Sequence, residues 1–110
     1  MSTFDPARRV TRRQFEKSLA AQLRSVADLV LQRNASYAGE DALKCWRKRG
    51  LAGMLVRLED KMNRFETFLE RGGATAEEWQ ELFADICGYA LCARIWTACG
   101  DDPSVRDDAA

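Results

Sequence analysis

Histidine is absent from the 110 residues. Its absence excludes Ser-His and Cys-His nucleophile pairs, imidazole metal ligands and histidine pH switches. Proline occurs twice, at Pro6 and Pro103, so no proline interrupts a helix between them. Period-two strand patterns are lacking. The four cysteines, Cys45, Cys87, Cys92 and Cys99, include no Cys-x-x-Cys pair. That argues against a zinc site and suits reduced core thiols of a cytosolic protein. No run of about 18 apolar residues occurs, so no transmembrane helix is expected. The polar, basic residues 1–13 lack the apolar stretch of a secretory signal. A cytoplasmic location is the default expectation.

Net charge is also missing, with 17 Lys and Arg against 17 Asp and Glu. The balance hides an asymmetry. Residues 1–57 carry twelve cations against five carboxylates, and residues 58–110 carry five against twelve. Such a dipolar chain can pack its halves together, associate head to tail, or gather an anion and a cation at the boundary. The plain alternative is a set of solvated helix faces.

What the chain has is helical periodicity. Phe15, Leu19, Leu23, Val26, Leu29 and Val30 form a stripe over residues 11–33, with Thr11 as the expected N-cap. Asn34, Ser36 and Gly39 predict a break. A short helix is expected over 40–49, ending at Gly50, and a long one over 51–71, closed by Gly72 and Gly73. Thr75-x-x-Glu78 has capping-box spacing and opens a helix expected to reach Cys99. The expected fold is all-α: an antiparallel bundle of three long helices and one short helix. The short 72–74 connection makes the last two helices adjacent and antiparallel. Residues 1–10 are expected as a flexible basic N-terminus, 11–99 as the bundle, and 100–110 as a flexible acidic tail.

Two helix edges carry the charge that chemistry needs. Arg57, Asp60, Lys61 and Arg64 are spaced i, i+3, i+4, i+7 and share one stripe. On the last helix, Glu78, Glu81 and Asp85 lie along one edge, with Asp85 inside the border of the apolar face near Leu82 and Tyr89. An aspartate there needs a cation, hydrogen bonds or a metal. One reading is an interhelical ion-pair cluster, with Lys61, Arg57 or Arg64 as partner. The other is an oxygen-only site for Mg²⁺ or Mn²⁺. Tyr37 and Trp46 are candidates to stack on a base. They are equally readable as plugs of the bundle core. Arg8, Arg9, Arg12 and Arg13, and the cations around Trp46, suit phosphate contacts, but no helix-turn-helix or other reading module is evident. Nucleic acid is therefore not an expected partner.

The pattern Asn34-x-x-Tyr37, Trp46, Arg57-x-x-Asp60-Lys61-x-x-Arg64, then Glu81-x-x-x-Asp85-x-x-x-Tyr89-Ala90 resembles phage and bacterial nucleotide-modification-associated domains. These are similar to the MazG-like all-α nucleoside triphosphate pyrophosphatases. The likeness covers roughly residues 30–96. It implies that Asp60, Glu78, Glu81 and Asp85 bind Mg²⁺, that Asp60, Glu81 and Asp85 serve catalysis, and that Arg57, Lys61 and Arg64 meet phosphates. The implied reaction converts a nucleoside triphosphate to monophosphate and pyrophosphate.

The leading expectation is thus a Mg²⁺-dependent nucleotide-binding protein, a pyrophosphatase or a degenerate relative. The alternative is a non-catalytic helical oligomerisation or protein-interaction module. Under either, a homo-oligomer is expected, most simply a C2 dimer. Phe83, Cys87, Leu91 and Ile95 turn away from the main stripe of the last helix, and a second apolar face needs a second partner.

Overall fold

Three helices, not four, carry the chain. In the computed structural model, which describes residues 7–38 and 41–106, α1 spans Arg12–Ala38, α2 Lys44–Glu70 and α3 Ala76–Cys99. No strand occurs among the described residues. The expected all-α class holds, while the count of four does not. The short helix and the long helix expected on either side of Gly50 form one element, α2. Its backbone leaves helical geometry inside the element at Gly50, with φ 62° and ψ −162°. Glycine sits easily at that positive φ, so the chain turns at the joint and resumes its helix.

The helix ends follow from local chemistry. The Thr11 hydroxyl accepts from the Gln14 N–H at 3.1 Å, and the Gln14 side chain accepts from the Thr11 N–H at 2.9 Å. Thr75 and Glu78 make the same reciprocal pair at the start of α3, each bond 3.1 Å. Gly72 and Gly73, with φ of 92° and 126°, close the tight connection after α2. Gly100, at φ 72°, ends α3. The break expected after Arg33 comes later. Helix α1 runs on through Asn34 and Ser36, and the Asn34 amide donates to the Ala42 carbonyl at 2.8 Å. A polar side chain that binds the chain beyond the helix end does not have to break the helix.

Helix α3 is central and packs against both others. Its contacts with α2 run in opposite senses: Trp46 stacks on Trp96, Lys61 pairs with Asp85, and Phe68 meets Trp79 edge-on at 5.1 Å. That order establishes the expected antiparallel pair. Phe65, Phe68, Trp79 and Phe83 form an aromatic cluster at the 72–74 end. On the α1 side, a Cβ added to Gly88 would lie 3.2 Å from Val30 Cγ2, so the missing side chain lets α1 approach closely. Leu82 is the fully buried centre, joined by Val26, Phe68 and Trp96. By length and composition alone α3 is long and apolar enough to cross a membrane. The core helix of a soluble protein passes the same test, and Asp85 and Arg94 punctuate this one.

Candidate functional site: an ionic junction of three helices

Asp85 lies one turn after Leu82 and one turn before Gly88, on the face of α3 that meets both neighbours. It is only 7% exposed. Arg33 of α1 hydrogen-bonds its Oδ1, and the Lys61 ammonium of α2 lies 3.1 Å from its Oδ2. One carboxylate thus ties all three helices. Burial is the strongest single influence on Asp85 and pushes its carboxyl up. Hydrogen bonds from Arg33 and Lys61, with their charges, outweigh it and hold the group below the usual carboxylate range.

The two expected edges do meet. At their other end Arg71 donates to Glu78 Oε2 at 2.6 Å, while Glu78 Oε1 caps α3 through the Thr75 N–H. The Arg71 hydrogen bond leads the causes that lower the Glu78 carboxyl. Arg64 and Glu81, between these contacts, and Arg57 and Asp60, before Lys61, are exposed. None of the four makes an ion pair within 4 Å among the described residues. The Arg64 guanidinium instead lies over the Phe68 ring, 5.4 Å from its centre, where the ring face attracts a cation.

The donor set answers the metal question for this arrangement. Asp85 is engaged by two cations and Glu78 by Arg71 and a backbone N–H. No three acidic or cysteine side chains converge among the described residues. As placed, Asp60, Glu78, Glu81 and Asp85 do not fit a magnesium site. The geometry is that of the ion-pair cluster. Arg33 was missed as a partner because it closes the predicted first helix, next to a predicted break. Its spacing of i+3 from Val30 and i+4 from Leu29 placed it on the buried face and was the available signal.

A second polar centre lies at the joint in α2. Asp102 is 4% exposed, where the sequence suggested a flexible tail. Its Oδ2 accepts from the Trp96 indole N–H at 2.7 Å and the Leu51 N–H at 2.9 Å; its Oδ1 accepts from the Ser104 N–H at 2.8 Å. The indole bond, then the Ser104 and Leu51 bonds, hold its carboxyl down at about 2. A Cβ on Gly50 would stand 2.6 Å from Asp102 Oδ2, so space as well as φ demands glycine there. Asp102 therefore caps the second half of α2 from 51 residues away. The legible signal was Asp-Pro-Ser, whose aspartate readily binds the N–H two residues on.

Trp46 is half-buried and stacks on Trp96, ring centres 6.4 Å apart. Both line a cavity of about 540 Å³ over the joint, with Arg47, Lys48, Arg49 and Asp102 also on its wall. Trp46 is thus half in the core and half on the wall of that cavity. It lies at the opposite end of the α2–α3 pair from the Arg71–Glu78 bridge. The side chain of Tyr37 lies outside the described residues. Neither a family model, nor a curated protein, nor a solved structure matches this chain.

Proposed function

We propose that the chain binds the phosphate groups of a nucleotide along the cationic edge of α2. Lys61 and Arg33 are the central contacts, and Arg57 and Arg64 lie one turn to either side of Lys61. The observation that carries this reading is the contact of Lys61 with Asp85. These two residues stand 24 positions apart, and both belong to the pattern that resembles nucleotide-modification-associated domains and MazG-like pyrophosphatases. Asp85 keeps the two cations ordered and pointing to one place. A phosphate brings more charge than one carboxylate and can take bidentate hydrogen bonds from a guanidinium. The exposed Arg57 and Arg64 add attraction on approach.

The reading is of a degenerate relative that binds. No hydrolytic step is derived, because two of the four carboxylates that would hold Mg²⁺, Glu78 and Asp85, hold cations instead. Calorimetric titration with a panel of nucleoside and deoxynucleoside triphosphates, without and with Mg²⁺, tests it. Binding by one or more of them is expected, weakened about tenfold or more in Lys61→Met, the loss of one charge-assisted contact. No heat from any triphosphate at millimolar concentration would remove the reading. Pyrophosphate release in the same samples would restore the enzyme.

A further inference from the structure

We infer that the N-terminal half of α1 docks on the exposed α2 seam of a second copy, forming a C2 dimer with two such contacts. The argument begins with surface. The chain exposes 9211 Å², whereas a compact monomer of 12.4 kDa exposes about 6,100 Å². The twelve residues outside the description, even at the exposure of an unfolded chain, account for about 1,300 Å² of the difference. About 1,800 Å² per subunit is left over, more than twice the roughly 800 Å² per partner of a standard interface and within the range of obligate dimers.

The surplus is localised. Every residue from Arg12 to Ser25 is exposed, half the length of α1. Phe15, Leu19 and Leu23 stand 60%, 48% and 46% exposed there. They continue the same stripe that becomes buried at Val26 and meets α3 at Val30. A stripe that is core at one end and bare at the other lacks its partner, because nothing in the helix itself distinguishes the two ends.

The matching surface is on α2. Leu55, Met62 and Leu69 lie seven residues apart and are 59%, 49% and 60% exposed. Residues at that spacing form a straight seam that a second helix can follow. Charge selects the pairing. Residues 7–25 carry six cations against the single Glu16, whereas Glu59 and Glu66 each stand four residues after a seam residue, one turn along the same side. A basic arm and an acid-flanked seam attract each other and repel their own kind, so arm-on-seam is favoured over arm-on-arm. Two-fold symmetry satisfies both copies with the same contact made twice. This inference does not rest on the nucleotide reading.

Sedimentation of the full chain at 1–50 µM protein (about the range where such interfaces are read) is the first measurement. A dimer is expected, with its dissociation constant raised at least tenfold by Leu19→Glu and, separately, by Met62→Glu. Both sites are already exposed in the single chain, so far-ultraviolet circular dichroism should keep its helical signature. As a second, fold-preserving arm, Leu19→Cys is mixed with Met62→Cys, both in a Cys45→Ser, Cys99→Ser background. Oxidation should link the unlike chains. A wild-type monomer would overturn the inference and leave the arm to another partner. So would a dimer indifferent to both glutamates, or one that never forms the 19–62 link.

Discussion

At the scale of single residues, one carboxylate holds the packing of three helices in register. Asp85 is nearly buried, while the side chains of Arg33 and Lys61 are 45% and 21% exposed. Taking the charge from Asp85 leaves two cations partly in water, so the loss is smaller than for a fully buried pair. Asp85→Asn should lower stability by about 1–3 kcal/mol in urea unfolding of the protein without added metal. An unchanged or raised stability, with a wild-type melting temperature that responds to Mg²⁺ alone, would instead reinstate the metal site. The sequence made Asp85 stand out, since an aspartate beside Leu82 and Tyr89 needs an explanation. It also supplied Lys61. It could not choose between a cation and a metal, because carboxylates spaced along one edge serve both equally well. Arg33, arriving from α1, adds the second cation and favours the ion pair.

At the scale of elements, the joint in α2 behaves as two helices sharing a cap. Gly50 interrupts the backbone, and Asp102 satisfies the first N–H beyond it. The folded Asp102 carboxyl titrates at about 2, against 3.8 for the unperturbed group. A folded pKa below the unfolded one means stability that is complete above the unfolded value and lost as pH falls through the folded one. Asp85 shifts in the same direction. Thermal melts should therefore hold level from neutral pH to about 4 and fall between about 4 and 2. Asp102→Asn should melt lower at neutral pH and show a shallower acid slope. An identical slope in the variant would separate Asp102 from the acid transition. The elements themselves were largely legible. The N-cap at Thr11, the capping box at Thr75, the glycine pair and the apolar stripes each rest on interactions within a few residues. The break at Gly50 was legible as well, but its cap was not, because Asp102 lies 51 residues beyond Leu51. The end of α1 was misplaced for a related reason: Asn34 signals a turn in isolation but is satisfied by Ala42 here.

At the scale of the molecule, the dimensions depart from those of a packed monomer. The radius of gyration is 17.3 Å, against about 13 Å for a compact chain of this length. Adjacency of α2 and α3 was legible because their connection is too short for any other path. The protruding arm was not, since the stripe of α1 predicts burial without saying in whose core. A dimer that covers the arm ties folding to association, so the melting temperature should rise with protein concentration between 1 and 50 µM, about a fiftyfold change in mass action. A concentration-independent melt would mean that the arm contributes nothing to the folded state. The central place of α3 also has a consequence in time. Both α1 and α2 lean on α3 far more than on each other, and α3 is synthesised after both. As the chain leaves the ribosome, Arg33 waits 52 residues for Asp85, and the joint at Leu51 waits 51 for Asp102. Two amphipathic helices are thus finished before the surface that covers them exists. A translation product that stops short of α3 lacks Leu82, Asp85 and Trp96 and has no core to fold around.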